Sequence, residues 1–211
     1  MLSRNRIKYI QSLARKKDRN LNKSFIAETP KVINEFLNSS YKIKTLFGEM
    51  DWIEANGEKL HPETEVIPVT SEELGRISQL KTPHSVLSEI QFLESKLKPD
   101  IPGKISIALD DLQDPGNMGT ILRIADWFGI ENIICSTDTV DVYNPKVVQA
   151  SMGSLAHVDI HYVVLEEYLS NTGVPVYATS MRGTSIYEIP KISEGIIVIG
   201  NEGRGIREDI I

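Results

Sequence analysis

The chain has 211 residues, a net charge of −6 and 41% hydrophobic residues, ordinary values for one large or two small globular domains. Its longest apolar runs, such as Ile196–Ile199, are too short to cross a bilayer, and its start lacks a secretory pattern. A single cysteine, Cys135, allows no internal disulfide, so a cytoplasmic protein with no membrane segment is expected.

The charge is unevenly spread. Residues 1–23 carry eight Lys and Arg against Asp18 alone, a net +7, which leaves −13 on the remainder. A basic end on an acidic body suits contact with a polyanion. A solvated charged helix or an organellar transit peptide has the same composition, and the charge run alone does not separate the three.

In chain order, Ile7, Ile10, Leu13 and Ala14 recur at helical spacing among the basic residues, which predicts an amphipathic helix over 4–17. Pro30, Val32, Ile33, Phe36 and Leu37 predict a second helix with proline in its first turn. Ile43–Phe47 and Val66–Val69 lean towards strand. Thr70 with Glu73 opens a helix through Leu80, which Thr82-Pro83 stops. Residues 1–95 therefore read as a small α/β domain, and 96–104, with two prolines and a glycine, as a linker. Beyond it, Ile105–Leu109, Ile133–Cys135, Val158–Val163, Val174–Ala178 and Ile196–Ile199 are short apolar runs separated by helical or loop stretches. This pattern predicts a second α/β domain over 105–211 with a mostly parallel, covered sheet.

Two stretches of this second domain could carry chemistry. In the first, a strand ends near Leu109, Asp114-Pro115-Gly116 makes a turn, and Asn117 is placed to cap a helix running to Phe128, with Gly129 just past it. Ile121, Leu122, Ala125 and Phe128 are expected to face the core and Arg123 the polar side. A strand, a turn and a helix start form a general anion site, and an arginine there is as readily a surface charge. In the second, Ile196–Ile199 runs into Gly200-Asn201-Glu202-Gly203-Arg204-Gly205. The spacing matches neither the dinucleotide fingerprint nor a Walker loop, and the carboxylate of Glu202 would face a cationic ligand better than a phosphate. A structural tight turn is the plain alternative. His157 and His161 lack the glutamate of a zinc-binding helix and read as structural, and no metal site is expected.

Taken together, Pro115-Gly116-Asn117-Met118-Gly119-Thr120-Ile121-Leu122-Arg123-Ile124-Ala125 and Ile199-Gly200-Asn201-Glu202-Gly203 resemble the first and second motifs of the SpoU family, the RNA 2′-O-ribose methyltransferases of the SPOUT superfamily. Gln149 to Val158 is similar to the family's link between a helix and the next strand. Ile7–Arg19, Phe25–Glu28 and Leu80–Pro83 resemble its ribosomal-protein-like RNA-binding domain, with Thr29 where a glycine is usual.

The resemblance implies methyl transfer from S-adenosylmethionine to a ribose 2′-hydroxyl, with ribosomal RNA as the family default and transfer RNA as the alternative. It implies Arg123, Asn117 and Glu202 as catalytic residues. A guanidinium is nearly always protonated, so Arg123 suits a phosphate clamp that stabilises developing negative charge better than a resting base. Asn117 would hold the loop or the ribose, or act only as a cap. Glu202 would support the sulfonium or position Arg123. Thr179, Ser180, Met181, Ile199, Gly200 and Asn201 match cofactor-binding loops, and Arg4, Lys8, Arg15, Lys16, Lys17 and Arg19 are expected to follow RNA phosphates. The family domain is a dimer with a trefoil knot, closed by a third motif that would lie beyond Ile211. That position leaves a non-catalytic RNA-binding protein of the same fold as the competing reading.

Overall fold

In the computed structural model, residues 1–93 and 101–210 are described. Thus 96–100 of the expected linker lie outside the described residues. In chain order the elements are α1 (Arg4–Ser12), α2 (Lys16–Asn22), β1 (Ser24–Glu28), α3 (Pro30–Leu37), β2 (Ile43–Gly48), α4 (Met50–Asn56), β3 (Glu65–Pro68), α5 (Ser71–Ile77) and β4 (Val86–Gln91). They continue with β5 (Ile105–Leu109), α6 (Pro115–Trp127), β6 (Asn132–Ser136), α7 (Pro145–Ser151), β7 (Asp159–Val163), α8 (Leu165–Ser170), β8 (Val176–Ala178) and β9 (Gly195–Ile199). They form two compact units, Met1–Glu94 with Asp141–Ala156, and Ser95–Val140 with His157–Ile211.

The first unit has a mixed sheet in the order β1-β4-β2-β3, with β4 antiparallel to both neighbours and β2 parallel to β3. Ile10, Leu13, Ile26, Phe47, Leu74 and Leu87 pack into one core. Residues 141–156, expected in the second domain, sit here for a physical reason. The Tyr143 ring stacks on Phe92 and Phe25 at 4.1 and 4.7 Å between centroids, and Asp141 pairs with Arg19 at 2.6 Å.

The expected helix over 4–17 is instead two helices. Its break is stabilised by Arg19, whose Nη1 donates to the carbonyls of Leu13 (3.0 Å) and Ala14 (2.7 Å), groups that a helix end leaves without partners. The helix that follows β1 begins after Thr29, which stands at φ +83°, a backbone region natural to glycine. The Thr70–Glu73 capping box is present, though its helix ends at Ile77, before the expected Leu80. Strands β1 and β4 carry buried polar residues, Ser24, Glu28, Ser88 and Glu89, and so lack a clean apolar signature.

The second unit is the expected parallel sheet, in the order β7-β6-β5-β9-β8 with every neighbouring pair parallel. Ala108, Ile134, Leu165, Ile196 and Val198 fill its core. From β5 the chain proceeds to β6 and β7 on one side, while β9 and β8 lie on the other. The strand order therefore reverses between β5 and β9, and in open parallel sheets ligands bind outside the carboxyl ends of the strands at such a point.

Candidate active site

The loops leaving β5 and β9 meet at this reversal. After β5 the chain turns sharply, with Asp111 at φ +55°. Asp114 then starts α6, its Oδ1 accepting from Asn117 N at 2.8 Å, while Pro115 presets the first helical φ. Asp114, and not Asn117, is thus the cap, because its side chain reaches the third helical amide. Asn117 sits one turn in with its side chain free for other work.

After β9 the chain folds back on itself. Asn201 N donates to Gly205 O at 3.0 Å, Gly205 N to Asn201 O at 2.9 Å, and Asn201 Oδ1 accepts from Gly203 N and Arg204 N. A Cβ on Gly200 would stand 2.2 Å from the Gly205 carbonyl carbon, so only glycine permits this fold-back.

Hydrogen bonds join the two loops. Asn117 Nδ2 donates to Glu202 Oε1 at 3.0 Å, and Asp114 N approaches the same oxygen at 3.4 Å. Asn201 Nδ2 donates to Asp111 O at 2.8 Å. Arg204 pairs with Asp111, and Arg207 holds the fully buried Asp110 through its backbone N (2.8 Å) and Nε (2.7 Å). The hydrogen bond from Asn117 holds the Glu202 carboxyl below the usual carboxylate range, so an exposed, ionised group stands at the switch point.

Asn117 and Glu202 are therefore together. Arg123 is exposed on α6, six residues beyond Asn117 and so about 9 Å further along the helix. Among the described residues it makes no ion pair. Glu202 Oε1 accepts from Asn117 and Asp114, and no hydrogen bond or ion pair joins Glu202 to Arg123 among the described residues.

Strands β8 and β9 are parallel neighbours, so Thr179-Ser180-Met181 and Ile199-Gly200-Asn201 leave the same sheet edge side by side. Thr179 turns inward, its N and Oγ1 both donating to Val198 O, and the Ile199 carbonyl accepts from Asp110 N. Ser180 and Met181 are exposed. Exposed residues at 180–181 and an ionised carboxylate at 202 are compatible in chemistry with a cofactor bearing both an adenine and a positive charge.

Of the basic residues assigned to RNA, Arg4, Lys8, Arg15, Lys16 and Lys17 are exposed, Arg15 with an ion pair to Asp18. Arg19 is a correction: it is 2% exposed and committed to Asp141 and the α1 carboxyl end, so it cannot meet a phosphate. Phe128, expected in the core, is exposed, because α6 buries Met118, Gly119, Leu122 and Ala125 instead. The acid–base pairs of Asp110 and Asp111 with Arg207 and Arg204 carried no assigned role in the sequence reading. Their signal was two acids directly after one buried strand and two arginines three apart after another. His161 is buried and shares a hydrogen bond with Asn132, and no cluster of three metal-ligating side chains occurs among the described residues.

The chain thus comprises a parallel α/β unit with a candidate site at the β5/β9 reversal and a separate small α/β unit. Residues 104–211 match the SpoU rRNA Methylase family and residues 4–88 the MRM3-like substrate binding domain. The chain belongs to the SpoU rRNA methylase family.

It is 26% identical over 205 residues to the 23S rRNA (guanosine(2553)-2′-O)-methyltransferase RlmP of Bacillus subtilis, covering 95% of this chain and 81% of that protein. Other curated relatives are longer, and the chain spans 54% of one and 35% of another. Among solved structures, a TrmH-family protein from Porphyromonas gingivalis, a candidate RNA methyltransferase, superposes with a TM-score of 0.90 at 36% identity. It covers 100% of this chain and 85% of that one. The AdoMet-bound rRNA methyltransferase of Sinorhizobium meliloti gives 0.86 at 30%, covering 98% and 82%.

Proposed function

We propose that this chain is an S-adenosylmethionine-dependent RNA methyltransferase acting on a ribose 2′-hydroxyl, with ribosomal RNA as substrate and transfer RNA as the alternative. The observation that carries this reading is the Asn117–Glu202 hydrogen bond, which joins both motif loops at the switch point of the sheet. When bound, S-adenosylmethionine would supply an electrophilic methyl group on a sulfonium for transfer to the ribose 2′-oxygen.

The protein's part is orientation and charge. Main chain at 180–181 and Gly200 would hold the adenine, and ionised Glu202 would favour the cationic end of the cofactor. Asn117 keeps that carboxylate in place by donating to it, which also fixes the loop after β9 against α6. Arg123, exposed and without an acidic partner among the described residues, is free to take the phosphate beside the target ribose and to offset negative charge developing on the 2′-oxygen. Arg4, Lys8, Arg15, Lys16 and Lys17 meet backbone phosphates further along the RNA.

A homodimer belongs to the same reading. Ile124, Trp127 and Phe128 leave a large apolar face on the far half of α6, with Trp127 85% exposed, and a second copy would cover it. No described helix is long and apolar enough to cross a membrane; we place the protein in the cytoplasm, with its RNA.

Incubation with tritiated S-adenosylmethionine and ribosomal or transfer RNA, followed by mass-spectrometric mapping of ribose methylation, tests the proposal. A chain that binds RNA but neither binds the cofactor by calorimetry nor labels any RNA is the non-catalytic relative instead.

A further inference from the structure

The first unit holds a cavity of about 470 Å³ between the carboxyl end of α3, the start of β2 and residues 59–64. Phe36, Tyr41, Ile43 and Leu60 give it an apolar, partly aromatic wall, with Phe36 and Tyr41 packed edge-to-face at 5.1 Å. The rim is polar and contains two exposed ammonium groups, Lys42 and Lys59. His61 Nδ1 accepts from Glu63 N at 3.2 Å, which leaves its Nε2–H as a donor. Glu63 contributes a carboxylate that can only accept, and Thr64 Oγ1 is spent on the Ile43 carbonyl at 3.0 Å. Lys59 leans on Asn56 Oδ1 at 3.2 Å, whereas Lys42 has no partner among the described residues.

An apolar wall for a flat ring, cations for a phosphate, and a carboxylate and an imidazole N–H for ring edges together match one nucleotide of a single strand. Single-stranded RNA is read in this way, by stacking and edge hydrogen bonds on bases with ammonium groups on the backbone. The location also favours RNA. Strands β1 and β2 both run antiparallel to β4, so they start at the same end of the sheet, about 10 Å apart across the intervening strand. Helix α2, with Lys16 and Lys17, runs directly into β1 at that end. Thr29 and the start of α3 lie at the other end.

We infer that this cavity is a subsite for one unpaired nucleotide of the RNA, distinct from the methyl-transfer site in the second unit. The inference rests on the proposed RNA substrate and adds where an unpaired nucleotide is held. The base lies against Leu60 and the accessible edges of Tyr41 and Ile43, with Phe36 packed behind Tyr41; Lys42 and Lys59 take its phosphates, and Glu63 accepts from an exocyclic amine or ring N–H.

The test uses the full chain with hexaadenylate and hexauridylate RNA, read by fluorescence anisotropy over a salt series. Two variants divide the contributions: Lys42→Ala with Lys59→Ala removes rim charge, and Ser40→Trp obstructs the mouth without changing charge. Both are expected to weaken hexanucleotide binding at least about fivefold with calorimetric S-adenosylmethionine binding unchanged. The double variant should also flatten the log–log salt slope by about 1.4, the value for two single-strand phosphate contacts. Hexamer binding unchanged in both variants overturns the subsite and leaves the proposed function standing, as does a wild-type chain that methylates RNA yet binds neither hexamer. A chain that neither binds nor methylates any RNA overturns both.

Discussion

Asn117 and Glu202 lie 85 residues apart in the chain, and the side-chain amide of the first donates to the carboxylate of the second at 3.0 Å. Asn117 can do this because Asp114 takes over the capping of α6. Glu202 can do it because Gly200 lets its loop fold back over the end of β9. Each local feature is an ordinary turn device, and the contact exists only because β5 and β9 are neighbours in the sheet.

That contact sets a pH dependence. With its carboxyl held below the usual range, Glu202 contributes stability to the closed loop above its unfolded value and loses it as pH falls through the depressed one. The acid limb of the activity profile assigned to this group should therefore lie below the ordinary carboxylate range. Asn117→Ala should move it upward and lower kcat about 100-fold, in line with loss of one positioned donor. A pH–rate series on both proteins measures this; an unmoved limb removes Glu202 from the mechanism.

Arg123 is exposed and unpaired among the described residues, so its removal should leave folding intact. Arg123→Ala is expected to lose at least about 100-fold in methyl transfer while stability changes by less than about 0.5 kcal/mol. Single-turnover kinetics beside thermal melts separates the two effects. Full activity in the variant would end the assigned clamp role.

Arg19 should behave in the opposite way. Removing it leaves Asp141 and the Leu13 and Ala14 carbonyls without their partner, at a cost of about 3 kcal/mol. Lys16→Ala with Lys17→Ala should cost little stability and reduce the salt dependence of RNA binding. Urea unfolding and RNA titrations on both proteins give the contrast.

Thr29 stands at φ +83° and its hydroxyl makes only a long 3.4 Å bond to Val32 N. Thr29→Gly should relieve more strain than it loses in capping, a net gain of about 1 kcal/mol. A lower urea midpoint in the variant would contradict this.

Tyr9 donates to the buried Glu89 at 2.6 Å, and burial together with that carboxylate pushes its phenol up to about 12. The folded chain thus keeps a proton that the unfolded chain releases near 10, so stability falls as pH rises from about 10 to 12. Tyr9→Phe should flatten that part of the stability profile in alkaline melts.

The amino-acid order alone determined the parallel sheet of the second unit, because its central strands, buried on both faces, are written as short, continuous apolar runs. It also determined α3, the Thr70–Glu73 cap and the turns after β5 and β9, though the cap of α6 is Asp114 and not the expected Asn117. The family resemblance singled out Thr29 as standing where a glycine is usual, and the backbone shows why: at φ +83° it occupies a region that glycine enters freely.

Tertiary structure decided what depends on distant partners. Arg19 reads as one more cation in a basic run, yet Asp141, 122 residues away, draws it into the interior. Strands β1 and β4 hide their pattern because buried Glu28 and Glu89 are satisfied from other elements, Glu28 by Ser78 and Gln79, and Glu89 by Tyr9, Ser24 and Lys44. Residues 141–156 join the first unit through the Tyr143 aromatic stack, the Arg19–Asp141 ion pair and the packing of α7 against β1. Periodicity and capping are local and leave a record in the chain; a partner across the fold leaves none until the fold brings it within reach.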